Sequence, residues 1–444
     1  MLFPKESMIF PKLTKIRQNF PVRVLKNIEA EVIKELDRVH IQGLMKKRKK
    51  IAIAVGSRGV SNIALVVKTV VEKVKSCGGN PFITPAMGSQ GGGTPEGKIE
   101  VLKGLGVTED YVKAPILSSM DVIHLGYIED GCPVYVDRMA AEADGVIAIN
   151  RVKPHTHAKG GLNESGIVKM LSIGLGNLRG CQSLHAYGFP RLSHRISQAA
   201  KLIIEKTPVM LGIATVEDAY DHTALIEAVK PEDFLERDHA LLQIAYDYMP
   251  SLPSDDFDVL VVKWVGKDIS GPAMDPNITG RGEIRALHDL FTKPTIRRVV
   301  ALNLTNGACG NAAGISAADY ITQKLLKGID VHDTNVNCIA SAFPEVAKIP
   351  PAMDDDQEAI YAALVTYGRP DPLGVKLMVI NSTLHLEHLY VSSALVEEVS
   401  RKNDVEIISK DEEFEFGTDG NLVIQFPQEP GAPCLLPHAW GGIG

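Results

Sequence analysis

No excess of basic residues is present. The formal net charge is −7, and a chain without surplus cations has little with which to neutralise phosphates. The one basic run, Lys46 to Lys50, abuts an apolar stretch and reads as a solvated helix end. No nucleic-acid partner is expected. No run approaches the roughly 20 apolar residues of a membrane-spanning helix. The opening MLFPKESMIFPKL lacks the continuous apolar core of a signal peptide. A cytoplasmic protein with no membrane partner is the expectation. Cysteine is sparse. Six are scattered at 77, 132, 181, 309, 338 and 434, with no CxxC pair. That argues against zinc or iron–sulfur sites of standard spacing and fits free thiols in a reducing compartment. Repeats and low-complexity segments are absent.

What is present is an ordinary globular composition, 45% hydrophobic and 23% charged over 444 residues, a length that calls for two domains. Short apolar runs alternate with helical patterns. Strands are expected at 51–55, 80–84, 121–125, 134–136, 146–149 and 209–215. Helices are expected at 28–43, 63–75, from Thr94-Pro95 to about 105, at 193–206 and at 231–248. The proline- and serine-containing stretch Met249–Asp256 reads as a linker. Beyond it, strands at 257–262, 299–304 and 376–380 alternate with helices at 316–327, 357–366 and 393–401. The tail from Pro430 reads as a loosely held end. This pattern predicts two α/β domains, 1–254 and 255–444, each with a mostly parallel sheet flanked by helices, and an active site in the inter-domain cleft.

Three loops directly follow strands, where doubly wound sheets bind ligands. The first, GSRGVSN (56–62), offers backbone N–H groups and Arg58 to an anion, but it is not GxGxxG. A second, AMGSQGGGTPEGK (86–98), has three successive glycines before a capped helix and lacks the GK[ST] ending of a P-loop. The third opens the stretch 154–185, around which the chain is organised. It contains His155 and His157, two apart and so on one face if extended, then Gly160-Gly161, Ser165-Gly166, Lys169 and His185. The paired histidines suit general acid–base work or metal ligation. Lys169, among Ile167, Val168, Met170 and Leu171, suits a nucleophile of lowered pKa. In the second domain, GKDISGPAMDPNITGR (266–281) reads as a ligand-facing loop, with Lys267, Asn277 and Arg281 as candidate substrate-binding groups.

In this order, the loops resemble those of the nickel-dependent lactate racemase family, from about Ile51 to Lys206. That family carries a nickel-pincer nucleotide, a pyridinium-3-thioamide-5-thiocarboxylic acid mononucleotide that holds one nickel ion. The resemblance implies covalent attachment at Lys169, nickel coordination by His185, and cofactor contacts from Ser57, Arg58, Gly88, Gly91 and Ser165. His155 or His157 becomes the acid–base group. Gln90 stands where the family has its first catalytic histidine, and glutamine cannot shuttle a proton; Lys159 or an ordered water is the expected substitute. His194 matches a further histidine before a helix. The N-terminal domain would carry the cofactor loops and the C-terminal one would close over the substrate. The implied activity is racemisation or epimerisation of a small 2-hydroxy acid by hydride transfer to and from the cofactor, which maturation proteins would supply and which recombinant protein can lack. A one-way lyase or oxidoreductase, a non-catalytic binder of an anionic metabolite, and a homodimer stay open.

Overall fold

The computed structural model describes residues 3–56, 59–340 and 342–427. It divides into two compact units: Pro21–Met249, and Met1–Phe20 together with Pro250–Gly444. The first twenty residues thus belong with the C-terminal unit, a difference from the expected division at 254.

The reason is a strand absent from the sequence reading. β1 (Leu13–Gln18) pairs antiparallel with both β14 (His388–Ser392) and β15 (Val405–Glu412). Between β1 and β14 in sequence come β2 (Lys50–Val55), β3 (Asn80–Pro85), β4 (Val122–Tyr127), β5 (Pro133–Asp137), β6 (Gly145–Arg151), β7 (Val209–Glu217), β8 (Thr223–Val229), β9 (Asp256–Val265), β10 (Thr295–Leu304), β11 (Tyr320–Thr322), β12 (Ala352–Met353) and β13 (Leu377–Ile380).

In the unit Pro21–Met249 the main sheet has the order β3-β2-β6-β7-β8. All neighbours are parallel except β7–β8. The strand β2 is buried from Ile51 to Val55 because a central parallel strand is covered on both faces. The helix Ile63–Ser76 covers it with Ile63, Val66, Val67, Val70, Val71 and Val74, an apolar stripe at helical spacing. Residues 122–127 and 133–137 form a separate antiparallel pair, outside the main sheet. The expected helix 28–43 breaks after Arg38, because His40 adopts a left-handed conformation (φ 57°) and a short helix restarts at Ile41.

The C-terminal unit has an eight-stranded sheet, β12-β11-β10-β9-β13-β14-β1-β15, parallel from β12 to β13 and antiparallel beyond. Its core packs Val259, Val261, Val300, Leu377 and Val379 beneath the helix Asp356–Thr366. The helix expected at 316–327 is shortened to Gln323–Lys327. Residues 320–322 are drawn into the sheet, where Thr322 then caps the helix through the Leu325 N–H (3.1 Å). Free thiols are found at Cys77, Cys132, Cys181 and Cys338, but Cys309 is disulfide-bonded. The expected loose tail lies outside the described residues. Among the described residues, no helix is long and apolar enough to cross a membrane.

Candidate functional site

The three loops singled out by sequence leave the carboxyl ends of β3, β2 and β6, which are neighbours in one sheet. Two of the expected cofactor-binding residues, Ser57 and Arg58, lie outside the described residues. In the glycine-rich loop, the Gly88 N–H donates to the Gly174 carbonyl (3.1 Å), and a Cβ on Gly88 would stand 3.4 Å from the Cys181 Sγ. At Gly91 a Cβ would come within 2.6 Å of the Gly97 and Lys98 backbone. These glycines therefore let the loop lie on its own protein neighbours. Gln90, half-buried, donates its backbone N–H to Met87 (3.1 Å).

The loop after β6 is closed at its base by Ser165, whose hydroxyl donates to the Lys153 carbonyl (2.5 Å) and accepts the Lys153 N–H (2.8 Å). Glu164 turns inward and accepts the His155 N–H (3.0 Å) and the Tyr246 hydroxyl (3.0 Å), with the Lys159 ammonium 3.9 Å away. Burial pushes the Glu164 carboxyl up, against the opposing pull of Lys159 and these donors. Lys159 itself contacts the Tyr246 hydroxyl and lies over its ring.

His155 Nδ1 accepts the N–H groups of His157 and Ala158, both at 2.9 Å. A ring nitrogen that accepts two N–H bonds carries no proton, so the neutral ring is protonated at Nε2. That Nε2 faces Lys169 Nζ within hydrogen-bonding contact. A bond across this pair needs the amine as acceptor, and therefore uncharged. The Lys169 segment begins at Gly166 (φ 88°, ψ −156°), a conformation open essentially to glycine alone. It then runs from the turn Ile167–Lys169 into a π-helical stretch, Met170–Gly174, a distortion often found at functional sites.

The helix Asn177–Ala186 brings His185 to the same region. Its Nδ1 bonds the Cys181 carbonyl one turn back (2.7 Å), with the Cys181 Sγ at 3.6 Å. With Nδ1 as donor, the Nε2 lone pair is left for a metal, the usual way in which an outer bond fixes a ligating histidine. Burial works against the imidazolium of His185, the Cys181 sulfur and carbonyl work for it, and the net direction is upward. Lys169, when charged, is close enough to oppose that protonation. Burial raises the Cys181 thiol and the neighbouring His185 lowers it, with the net direction below the ordinary value. Phe189 links the two histidine clusters, its ring 5.9 Å from that of His157 and 5.4 Å from that of His185.

Beneath this helix lies a polar network that was not expected. Lys98, fully buried, donates to Asn177 Oδ1 (2.5 Å), and Asn177 donates to Asp137 Oδ2 (3.0 Å). Burial brings Lys98 down to about 8 and pushes Asp137 up. Sequence reasoning also missed Glu164, Tyr246 and Asp238. Nothing marks a buried carboxylate on an amphipathic helix except an acidic residue on its apolar face, which Asp238 is.

His194 is exposed and 3.7 Å from Glu129, away from this cluster. In the C-terminal unit, Arg281 donates to Asp319 Oδ2 (2.6 Å), the Ala317 carbonyl (3.2 Å) and the Ile296 carbonyl (2.8 Å). Lys267 donates to the Gly271 carbonyl (2.5 Å), and Asn277 to Asp275 Oδ1 (2.9 Å). No group of three or more His, Cys, Asp or Glu side chains able to hold a metal ion is formed among the described residues.

No curated protein matches the chain. Among solved structures, the lactate racemase apoprotein from Thermoanaerobacterium thermosaccharolyticum is 13% identical with a TM-score of 0.45, over 81% of this chain and 96% of that one. A Thermotoga maritima protein solved by a structural genomics consortium is 14% identical with a TM-score of 0.48, over 72% of this chain and 82% of that one. Residues 12–194, which include every loop described above for the N-terminal unit, match the model of the lactate racemase N-terminal domain.

Proposed function

We propose that the chain is a racemase or epimerase of a 2-hydroxy acid, and that Lys169 and His185 are the residues that hold a nickel-pincer nucleotide. One observation carries the reading: the Lys169 amine meets the His155 ring, within a stretch that matches the lactate racemase N-terminal domain model. The residues fit such a group. An uncharged Lys169 amine is a nucleophile suited to covalent attachment, and His185 has its Nε2 lone pair directed away from the Cys181 carbonyl. When bound, the nucleotide would supply a pyridinium ring able to accept and return a hydride, with nickel and sulfur tuning it.

The remaining work falls to the chain's own side chains. His155, with Nδ1 committed to two backbone N–H groups, serves to orient the amine. The proton carrier is then His157, packed edge-on against Phe189. Gln90 cannot transfer a proton; the Glu164–Lys159–Tyr246 cluster, which binds the His155 N–H, offers exchangeable protons, with burial keeping the Glu164 carboxyl readier to hold one. Arg58 is the cation assigned to the substrate carboxylate; Lys267 donates to the Gly271 carbonyl and Arg281 has its guanidinium engaged. Cofactor loading requires maturation proteins.

Protein purified from a host that makes the nucleotide is expected to contain about one nickel and a mass adduct on Lys169. Single enantiomers of candidate 2-hydroxy acids, incubated in deuterated water and followed by NMR, should invert with the Cα–H retained. Nickel-free, unmodified protein from such a host would overturn the proposal. The lack of a titrating group at Gln90 favours one alternative, one-way lyase or oxidoreductase chemistry on the same residues; net formation of a dehydrated or oxidised product would identify it.

A further inference from the structure

Behind the loop that carries the candidate residues lies the helix Phe234–Tyr248. It grips that loop at several points. The Leu235 carbonyl accepts from Asn163 Nδ2 (2.9 Å), His239 Nδ1 bonds the Leu162 carbonyl (2.9 Å), and Tyr246 holds Glu164. Between these contacts stands Asp238, 1% exposed. Its Oδ2 accepts the Val168 N–H (2.7 Å), and the Ile167 N–H also faces the carboxylate. Its Oδ1 is buried with no hydrogen-bond partner. A Cβ on Gly166 would lie 2.6 Å from Asp238 Oδ2, so glycine at 166 is what admits the carboxylate. On the other side, Asn150 Nδ2 donates to the Gly166 carbonyl (2.8 Å).

We infer that Asp238 is a positioning residue: its carboxylate pins the first N–H groups of the turn Ile167–Lys169 and so aims the Lys169 amine at His155. A bond from a backbone N–H to a charged carboxylate is about twice as strong as a neutral one, and the turn is too short to hold its own direction. The half-used carboxylate also makes the anchor sensitive to protons. Burial raises Asp238 to about 7, against the N–H groups of Val168 and Ile167. The other titratable groups carried by this helix and the elements beside it include Lys169 on the turn itself, Glu227 on β8 with its partner Arg237 (2.8 Å), His239 on the same helix, Glu232 and Asp233 in the preceding turn, and Glu217 on β7, paired with Arg151. Of these, Glu227 is the one whose charge is felt at Asp238.

The importance of that aim rests on the reading of Lys169 as the attachment residue, but the aim itself is measurable without cofactor. Unloaded full-length protein, labelled with 15N at histidine and backbone, is compared with Asp238→Ala and Asp238→Asn. In Asp238→Ala the His155 ring-nitrogen resonances should move, and amide exchange at Ile167 and Val168 should quicken at least tenfold relative to the rest of the sheet. Asp238→Asn keeps one acceptor, so Val168 protection and the His155 signals should return to within a few-fold of wild type. The pH-dependent step near 7 in wild-type Ile167 exchange should be absent from this variant. If Asp238→Ala does not fold, Gly166→Ala, which drives a methyl into the carboxylate, is expected to move the same resonances. Unchanged His155 signals and unchanged protection in a folded Asp238→Ala, or no pH step in wild type, would overturn the inference. A nickel and intact-mass assay on loaded protein tests the attachment reading separately, so either can fail alone.

Discussion

In the unit Pro21–Met249, the candidate groups hold one another: Lys169 meets His155, Glu164 holds the His155 backbone, Tyr246 holds Glu164, and Phe189 bridges His157 to His185. In the C-terminal unit, Arg281 and Asn277 are each bound to nearby backbone or carboxylates of the same unit. Sequence gave both sets similar standing, as polar residues in glycine-rich loops after strands. The difference lies in where the head groups go. The Arg281 guanidinium is satisfied by two carbonyls and a carboxylate, whereas the Lys169 amine faces an imidazole.

The sharpest break in this contrast comes from Lys169→Ala. It should abolish both the mass adduct and bound nickel in protein from a cofactor-producing host, read by intact mass and metal analysis. Retained nickel would move the holding function elsewhere in the cluster.

Asp238→Asn should act next most strongly, through pH. The folded-state value of Asp238 is raised from 3.8 to about 7. Its contribution is therefore fully present below 3.8 and lost as pH rises through about 7. The loss amounts to at most about 4 kcal/mol. Chemical denaturation between pH 4 and 8 should show this decline in the wild type and a flatter profile in Asp238→Asn. Parallel profiles would mean the carboxyl is not buried as described.

Arg281→Ala should lower stability by about 2 kcal/mol, because Asp319 and two carbonyls lose their donor. The melting temperature should fall while KM for any substrate stays within a few-fold. A large KM increase with unchanged stability would restore Arg281 to the substrate site and erase the contrast. Thr94→Ala should have the smallest effect, about 1 kcal/mol, from losing the cap bond to the Gly97 N–H (3.1 Å).

The parallel strands and their helices were legible because burial on both faces leaves uninterrupted apolar runs, as in Ile51–Val55, and because Thr94-Pro95 is an unambiguous helix start. β1 was not legible. LTKIRQ alternates charged with apolar residues over too few positions, and its partners come some 370 to 400 residues later. The restart at His40 escaped notice because a left-handed non-glycine residue leaves no mark in the apolar pattern. At the candidate site, the residue types and order of His155, Lys169 and His185 were readable. Their supports, Glu164, Tyr246, Asp238 and Lys98, were not, since a buried ionisable group is recognisable only once its partner is known.

The placement of β1 between β14 and β15 bears on how the polypeptide is made. This segment is made some 370 to 400 residues before both of its neighbours, so through that stretch of synthesis it has no strand to join. Removing residues 1–20, or fusing a bulky tag too near Leu13, would uncover two strand edges in the distant half of the chain and invite aggregation there, while leaving the sheet that follows it in sequence with its full set of strands.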